Sequence, residues 1–378
     1  MLIAIDGNEA NVQNRVGSNI YSYELLQAIY QCQKGDLRFK IYLKEKPLAD
    51  LPKETDWWQY RIVGPKRFWT QFGLPLDLFF HRPRPDVFFT PGHYLPRWSP
   101  CPTVMSIMDL SYIYFPEMFR KRDLWQLRKW TAYSVKKAKA ILTISEFSKN
   151  AIIDYYHLDK EKVVVTYPGV NKEPVNTETR RFMGKAEKIK KKYGVEGDYI
   201  LYVGTLQPRK NLERLIEAFK LFSNGPNVNQ INSRMKLVIV GKKGWLYQEI
   251  FKKVKELDLA KKVIFTGYVP DEDLPAFYRN AQCFVLVSLY EGFGLTALEA
   301  MHYGCPVVAS NISSLPEVVG QAGILVDPEN VEEIASGIEK AIKNRDELIK
   351  KGYQQAKKFS WKKCAKETLK VLEMVVKK

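Results

Sequence analysis

The chain has 378 residues, 46% of them hydrophobic and 27% charged, which suits two globular domains of ordinary size. No apolar run approaches the roughly 20 residues that span a bilayer, and the first six residues have the pattern of a strand, not of a signal peptide. The formal charge of +17 leaves nucleic acid, an anionic membrane face or an acidic substrate as partners, although no nucleic-acid-binding module is recognisable.

The first half of the chain alternates short apolar runs with helical patterns. Strands are predicted at residues 2–5, 39–43, 87–90, 103–107, 140–144 and 163–166, and helices at 19–30, 116–137 and 146–156. This alternation predicts a parallel, doubly wound sheet whose ligands bind beyond the carboxyl ends of the strands. No Gly-x-Gly-x-x-Gly follows the first strand, which argues against a dinucleotide-binding dehydrogenase.

The second half repeats this alternation. Strands are predicted at residues 199–203, 237–240, 263–266, 284–287, 307–309 and 324–326, with a helix up to residue 222, another capped at Asp327 and reaching residue 344, and a terminal helix at 362–376. The loop after the first of these strands carries Arg209 and Lys210. Adjacent cations at the carboxyl end of a strand favour a phosphate site, although such pairs are often only solvated.

The stretch from Cys283 to Met301 combines a strand, a loop with Gly292 and Gly294, and a helix. The first N–H groups of a helix lack internal partners, and glycines let the backbone approach a ligand, so this form suits an anion. Glu291 and Glu299 flank the loop, and carboxylates beside a phosphate site are better placed to accept hydrogen bonds from hydroxyls. The pattern therefore predicts a nucleotide sugar as ligand, while a plain glycine turn with surface glutamates is the alternative.

This stretch and its continuation to Pro328 resemble the retaining family-4 glycosyltransferases, in which two glutamates eight residues apart hold the donor. The resemblance implies an α/β protein of the GT-B type, with two Rossmann-like doubly wound domains facing across a cleft. The expected limits are 1–172 for the acceptor domain, 173–197 for a linker, 198–358 for the donor domain and 359–378 for a helix that crosses back to the first domain.

Further site residues follow from the same resemblance. The family usually has His-Asp-Leu where this chain has Met108 and Asp109, so only Asp109 is carried over and His93 is a candidate replacement, although a lone histidine is more often structural. Thr205 stands where the family has Arg, Lys210 is kept, and Arg209 is expected to supply the missing charge. The expected catalytic set is Glu291, Arg209, Lys210 and Asp109, and the donor-binding set is Glu299, Gly292, Phe293, Gly294, Leu295, Thr205, Tyr268 and Gly17.

The expected activity is transfer of a hexose from a nucleoside diphosphate sugar to a saccharide or lipid-linked acceptor in surface-polysaccharide or glycolipid assembly. Residues 288–294 resemble mannosyl-type enzymes, which favours mannose as the hexose. The resemblance implies retention by a front-face route. The loop cations can stabilise the leaving phosphate, and we expect no Asp-x-Asp metal motif, no metal and no cofactor besides the donor. A nucleotide-sugar epimerase of the same fold and a basic nucleic-acid-binding protein are the alternatives.

Residues 119–139 mix bulky apolar residues with a cluster of cations. The cations are Arg120, Lys121, Arg122, Arg128, Lys129, Lys136 and Lys137. An amphipathic helix with a solvated basic face is the ordinary interpretation, and a helix lying on an anionic membrane, with Trp125 or Trp130 near the interface, is the alternative. Five scattered cysteines indicate reduced thiols and a cytoplasmic protein, which this helix would hold at the inner face of the membrane.

Overall fold

The computed structural model describes residues 1–32, 35–170, 191–224 and 230–377. The chain divides into two compact units, one made of Met1–Asn171 with Phe359–Lys378 and the other of Lys172–Lys358. Residues 173–190 of the predicted linker at 173–197 lie outside the described residues. Each unit contains one sheet in which all strand pairs are parallel, so the predicted pair of doubly wound domains is confirmed.

The first unit is built on a seven-stranded sheet. Its strands are β1 (Leu2–Asp6), β2 (Arg38–Leu43), β3 (Trp58–Ile62), β4 (Val87–Thr90), β5 (Thr103–Ser106), β6 (Ala140–Thr143) and β7 (Val163–Val165). Their order in the sheet is β3-β2-β1-β4-β5-β6-β7. The helices are α1 (Ser18–Cys32), α2 (Leu74–Phe80), α3 (Ser111–Tyr114), α4 (Lys121–Lys137) and α5 (Glu146–Tyr156). Strands β4, β5 and β6 are buried along their whole length because helices cover both faces of a parallel sheet.

The second unit is built on a six-stranded sheet. Its strands are β8 (Tyr199–Val203), β9 (Lys236–Val240), β10 (Val263–Gly267), β11 (Cys283–Leu286), β12 (Val307–Ser310) and β13 (Gly323–Val326). Their order is β10-β9-β8-β11-β12-β13. The helices are α6 (Leu212–Asn224), α7 (Gln230–Arg234), α8 (Gln248–Glu256), α9 (Leu274–Asn280), α10 (Leu295–His302), α11 (Leu315–Val319), α12 (Val331–Lys343) and α13 (Arg345–Ala356).

The strand order of each sheet changes direction at one pair of neighbours. In the first unit these neighbours are β1 and β4, and in the second they are β8 and β11. Open parallel sheets bind ligands beyond the carboxyl ends of the strands at such a point, because the two following loops diverge there. The loops after β8 and β11 contain Arg209, Lys210 and Glu291, so the topology brings these residues to one edge of the sheet.

The last helix, α14 (Trp361–Lys377), belongs to the first unit, which the chain re-enters at Phe359 after the second unit ends at Lys358. It packs against α1, with the rings of Tyr21 and Trp361 5.6 Å apart. The buried thiol of Cys364 lies 3.6 Å from the carbonyl oxygen of Thr166, just beyond β7. These apolar and polar contacts connect the two ends of the first unit.

The structure departs from the sequence expectations at several places. Strand β3 and the helical segment at 69–80 were not predicted, because their polar and aromatic residues lack a clear period. The helix expected at 116–137 is broken, since Arg120 adopts an extended conformation and α4 begins only after it. The cap of α12 is Asn330, not Asp327: the Asn330 side chain accepts from the N–H of Glu333 at 2.9 Å, whereas the Asp327 carboxylate accepts from Glu329 in the preceding turn.

Candidate active site

The loop after β8 carries its two cations on a single 3-10 turn, Pro208–Lys210. The turn ends at Asn211, whose φ of 57° lies in the left-handed region that asparagine tolerates better than most residues. Asn211 Nδ2 donates to the carbonyl oxygens of Val287, at 3.0 Å, and Pro328, at 2.6 Å. This buried amide was not predicted from the sequence. Its two hydrogen bonds connect the loop that carries the cations to the residues that follow β11 and β13.

Glu291 is ion-paired to both cations of that loop. Lys210 Nζ donates a hydrogen bond to Glu291 Oε1, and Arg209 Nη1 lies 3.6 Å from Glu291 Oε2. Arg209 Nη1 also donates to the carbonyl oxygen of Tyr290 at 2.7 Å. The side chains of Arg209, Lys210 and Glu291 are 16%, 14% and 9% exposed, so water screens these charges weakly. Among the three groups, positive charge exceeds negative charge by one.

Serine hydroxyls hold the Glu291 loop in place. Ser288 Oγ donates to Glu291 Oε1 at 2.7 Å, and Ser314 Oγ donates to the Glu291 carbonyl oxygen at 2.9 Å. The N–H of Glu291 donates to Ser313 Oγ at 3.2 Å. These serines were not predicted from the sequence, although Ser288 stands three residues before Glu291 and the other two follow β12 within the stretch that resembles the family.

The protonation state of Glu291 is set by opposing effects. Burial raises its pKa, but the charges of Lys210 and Arg209, with the hydrogen bonds from Lys210 and Ser288, outweigh burial and hold the pKa below its ordinary value. Glu291 is therefore ionised at neutral pH. The nearby Tyr202 hydroxyl is buried, and burial together with the Glu291 charge raises its pKa well above the ordinary range, so it stays protonated.

The glycine loop after Glu291 leads directly into α10. Gly294 caps this helix with φ of 101°, a conformation that favours glycine, and a Cβ there would lie 2.6 Å from Leu315 Cδ2. The Phe293 ring is buried at 2% exposure, so only its backbone can serve a ligand. The chain from Gly292 to Leu295 thus presents the amino end of α10, where the helix dipole favours negative charge.

Glu299, in the middle of α10, is only partly buried. Its Oε2 accepts a hydrogen bond from the Tyr278 hydroxyl on α9 at 3.0 Å. Burial, and then the Glu299 charge, raise the Tyr278 pKa well above its ordinary value, so this hydroxyl remains a donor. Tyr278 orients the Glu299 carboxylate and was not recognised in the sequence.

Two further residues predicted to bind the donor follow the carboxyl ends of strands in the same sheet. Thr205 lies two residues beyond β8 and is partly exposed. Tyr268 directly follows β10 and is 45% exposed. Both positions belong to the sheet edge that carries the Arg209, Lys210 and Glu291 cluster.

One pair of aspartates, Asp271 and Asp273, has the Asp-x-Asp spacing found in many metal sites, so the expectation that the chain has no such motif is wrong. Asp273 Oδ2 is ion-paired to Lys192 Nζ at 2.9 Å and accepts from the Tyr193 hydroxyl at 3.0 Å. The structure thus engages Asp273 in a protein contact. Within the described ranges, no three His, Cys, Asp or Glu side chains are grouped as a metal would require.

In the first unit, Asp109 and His93 follow β5 and β4. Asp109 Oδ1 accepts from the N–H of Ser111 at 2.8 Å, at the start of α3. Burial lowers the pKa of His93 although the Asp109 charge opposes it, so His93 is neutral near pH 7. His93 Nδ1 is buried, and in the described part of the chain no group bonds to it. Its ring contacts Tyr112 edge-on at 5.9 Å.

Two carboxyl groups not predicted from the sequence lie at the carboxyl end of β1: Asp6 is its last residue and Glu9 follows it. Burial raises the pKa of Asp6, although the N–H and side-chain amide of Asn8 donate to its Oδ1 at 3.0 and 2.6 Å. Burial and then the charge of Asp6 raise the pKa of Glu9. Glu9 Oε2 accepts from Asn19 Nδ2 at 2.7 Å, which ties it to the start of α1, where Gly17 has φ of 53°.

The cations predicted for a membrane-facing helix lie on or beside α4. They are all exposed, as is Trp125 at 60%, whereas Trp130 is partly buried against the ring of Tyr94. In the described part of the chain, no helix has the length and apolarity needed to cross a bilayer.

Two family models match the chain: glycosyl transferases group 1 over residues 185–359 and Glycosyltransferase Family 4 over residues 48–174. O-antigen chain mannosyltransferase B of Escherichia coli is 33% identical over 320 residues, which cover 84% of this chain and 79% of that protein. O-antigen chain mannosyltransferase RfbU of Salmonella typhimurium is 30% identical over 244 residues, covering 65% and 61%.

Solved structures share the fold at low sequence identity. Sucrose-phosphate synthase from Thermosynechococcus elongatus superposes with a TM-score of 0.73 at 18% identity, covering 99% of this chain and 98% of that one. WaaG, a glycosyltransferase involved in lipopolysaccharide biosynthesis, gives 0.72 at 14% identity, covering 98% and 99%. The family models and the E. coli relative, together with two Rossmann-like domains, place the chain among the group 1 glycosyltransferases of GT-B fold.

Proposed function

We propose that this glycosyltransferase moves a hexose, with mannose favoured, from a nucleoside diphosphate sugar to a saccharide or lipid-linked acceptor, with retention of the anomeric configuration. The process it serves would be surface-polysaccharide or glycolipid assembly. The two relatives described above are named as O-antigen chain mannosyltransferases, which supports mannose and this process.

The observation that carries this proposal is the cluster of Arg209, Lys210 and Glu291 at the point where the strand order of the second sheet changes. Two cations facing one carboxylate attract an anion of at least one charge, and their burial strengthens that attraction. The amino end of α10 follows Glu291 by three residues and favours the same kind of ligand. A diphosphate satisfies both features.

The charge that develops during transfer explains how these groups accelerate the reaction. The bond between the anomeric carbon and the diphosphate oxygen breaks, and the leaving diphosphate gains negative charge that Arg209 and Lys210 stabilise. A new bond forms to the acceptor oxygen on the same face of the sugar, and the acceptor proton passes to the departing phosphate. Because Glu291 fixes Lys210 beforehand, little reorganisation is needed when that charge appears.

The two glutamates have different parts in this scheme. Glu291, beside the phosphate-binding cations, is placed to accept a hydrogen bond from a hydroxyl of the transferred sugar. Glu299, about one helical turn inside α10, is oriented by Tyr278 and accepts from the ribose hydroxyls. Tyr268, exposed after β10, provides a surface for the nucleotide base.

The acceptor is assigned to the first unit. Four side chains lie at the carboxyl ends of β5, β4 and β1, where ligands of such sheets bind: Asp109, His93, Asp6 and Glu9. Neutral His93 and the carboxyl groups with raised pKa values can exchange hydrogen bonds with acceptor hydroxyls. The exposed cations of α4 favour a place at the cytoplasmic face of an anionic membrane.

The proposal is tested by incubating the full chain with a panel of GDP- and UDP-linked hexoses. Thermal stabilisation identifies the donor, because a ligand that binds only the folded state raises the melting temperature. Transfer to a mannosyl acceptor, retained in EDTA, is the expected result. Activity lost in EDTA and restored by Mg²⁺ or Mn²⁺ would contradict metal independence.

The same panel separates the alternatives. An epimer formed in the absence of any acceptor would identify an epimerase. No stabilisation by any nucleotide sugar, combined with salt-dependent binding to nucleic acid, would favour the basic binding protein.

A further inference from the structure

An apolar stripe on the first unit remains exposed to solvent. Its residues are spaced by four, beginning directly before a π-helical turn, Trp69–Gly73, and continuing along that turn and the helix α2 that follows it. They are Phe68, Phe72, Leu76 and Phe80, at 52%, 51%, 53% and 79% exposure. The opposite face is buried through Leu74 and Leu78. Clustered apolar side chains of this size in contact with water mark an interaction site.

The amino end of this stripe opens into a groove lined by aromatic rings. The rings are those of Phe68, Phe72, Tyr94, Trp98, Trp130 and Tyr133. Phe72 lies 6.3 Å from Trp98, and Tyr94 lies 5.5 Å from Trp130, between ring centres. The groove encloses about 380 Å³, within the roughly 300–1,000 Å³ of small-molecule sites. It is therefore large enough for a segment of a ligand.

The polar groups of the groove are largely engaged with the protein. Ser134 Oγ accepts from the N–H of Leu95 and donates to the carbonyl oxygen of Trp130. The Tyr133 hydroxyl donates to the carbonyl oxygen of Arg97, and Thr70 Oγ1 donates to Gln71. A saccharide needs partners for its many hydroxyls, so this lining favours a hydrocarbon ligand.

Two cations stand at the rim of the groove. The Arg97 guanidinium lies over the Tyr133 ring at 4.2 Å, and both Arg97 and Lys129 are exposed at the groove lining. An apolar trough with cations at its edge complements a ligand that has a hydrocarbon chain and a phosphate.

We propose that this groove binds the hydrocarbon chain of a single lipid phosphate molecule, with Arg97 and Lys129 holding the phosphate. The inference rests on the proposed function in one respect: such a molecule would be the lipid anchor of the acceptor. The aromatic residues cover the chain, and the cations place the phosphate at the rim.

The probe is farnesyl phosphate, added to the full chain below its aggregation concentration, with binding followed by calorimetry. Farnesol lacks the phosphate and inorganic phosphate lacks the chain, so each is expected to bind at least about tenfold more weakly. If farnesol binds as tightly as farnesyl phosphate, the cations do not hold the phosphate and the proposal is contradicted. If a mannose oligosaccharide binds and displaces farnesyl phosphate, the groove is a saccharide site and the proposal is wrong.

Surface variants test the lining without threatening the fold. Phe72→Ser and Trp98→Ser are each expected to weaken farnesyl phosphate binding about tenfold. Trp125→Ser is the matched control, since Trp125 is 60% exposed on α4 and does not line the groove. Arg97→Gln with Lys129→Gln should abolish the preference over farnesol, whereas Lys136→Gln should not. Loss of vesicle binding with unchanged probe binding in Phe72→Ser would mean bilayer docking and contradict the proposal.

The groove and the proposed function fail separately. A chain that transfers sugar to a soluble acceptor but does not bind farnesyl phosphate contradicts the groove alone. A chain that binds the probe but transfers no sugar from any donor contradicts the proposed function and leaves the groove standing.

Discussion

Lys210 donates a hydrogen bond to Glu291 across 81 residues of sequence, and both side chains are largely buried. The contact exists because β8 and β11 are hydrogen-bonded neighbours whose following loops meet at one edge of the sheet. A buried pair of this kind does not by itself guarantee stability, since both charges lose water. Its value in this chain is positional, because it fixes a cation beside the amino end of α10.

Replacing Lys210 by Met is expected to lower stability more at neutral pH than at acid pH. With Lys210 present, the Glu291 pKa is lowered, so the carboxylate stabilises the fold above the ordinary value of 4.5 and this contribution is lost as pH falls through the lowered pKa. Without Lys210, burial opposes ionisation against less positive charge, and the Glu291 pKa rises. A raised pKa favours the protonated Glu291, so acidification relieves the cost of burying its charge beside fewer cations. Urea unfolding should therefore show the stability difference between the variant and the unchanged chain narrowing as pH falls through the acid range, and a constant or widening difference would contradict the pairing.

The loss of unfolding free energy in Lys210→Met tests how deeply the Lys210–Glu291 pair is buried. Removing one partner of a buried pair typically costs about 3–5 kcal/mol, so the unfolding free energy at neutral pH should drop by that order. Lys252→Met is the control, because Lys252 is 64% exposed in its ion pair with Glu249 and should change stability by less than about 1 kcal/mol. Equal effects of the two substitutions would mean that the Lys210 site is solvated.

The two glutamates should respond differently to replacement by Gln. Glu299→Gln is expected to raise KM for the donor through weaker ribose contacts, and Glu291→Gln to lower kcat through lost contacts to the sugar and to the cations, each costing about 1.5–3 kcal/mol. Tyr278→Phe should reproduce part of the Glu299 effect because it removes the hydroxyl that orients Glu299. Unchanged steady-state kinetics in both glutamate variants would contradict the site.

Gly294→Ala should destabilise the second unit more than an ordinary glycine replacement. A Cβ at residue 294 meets both a φ of 101° and Leu315 Cδ2 at 2.6 Å, whereas at Gly194 the φ of 69° is positive but the space is open. We expect about 1–2 kcal/mol for Gly194→Ala and about 1–3 kcal/mol more for Gly294→Ala. Chemical unfolding measures both, and equal losses would show that α11 yields to the new methyl group.

Binding to anionic vesicles should depend on the cations of α4. Replacing Arg122, Arg128 and Lys136 by Gln removes about 1 kcal/mol each near an anionic surface, and salt that shortens the Debye length from about 10 Å to about 3 Å should release the unchanged chain. Sedimentation with vesicles checks both effects.

The matched control for this cluster is replacement of Lys252, Lys255 and Lys261, three exposed cations of the second unit, by Gln. Vesicle binding that does not change with salt, or that falls equally in both triple variants, would contradict a specific role of the α4 cations.

The parts of the fold that could be predicted are those with local signals. Strands such as Tyr199–Val203 and Val87–Thr90 are short apolar runs buried on both faces, and the helix Glu146–Tyr156 has a serine cap and a clear period, so their predicted limits agree with the structure. Strand Trp58–Ile62 has no such signal, because it lies at the sheet edge and only Trp58 is fully buried.

The candidate site was predictable as a set of residues but not as a network. The glycine loop and the two glutamates stand in one continuous stretch, so their chemistry is visible in the sequence. The contacts of Lys210 with Glu291, of Asn211 with Val287 and Pro328, and of Tyr278 with Glu299 join residues far apart in the chain. The contacts of Lys210 and Asn211 depend on strand order, and that of Tyr278 depends on how the helices before and after β11 pack, neither of which a local pattern encodes.

The stereochemistry of the product tests the central claim most directly. An α-configured donor sugar, identified from the nucleotide-sugar panel, is incubated with the chain and a soluble acceptor, and the anomeric proton of the first product is followed by NMR. We predict an α-linked glycoside, formed by the unchanged chain and strongly reduced in Glu291→Gln. A β-linked product would contradict retention, and equal α-product from the Glu291→Gln variant would contradict the assignment of the site.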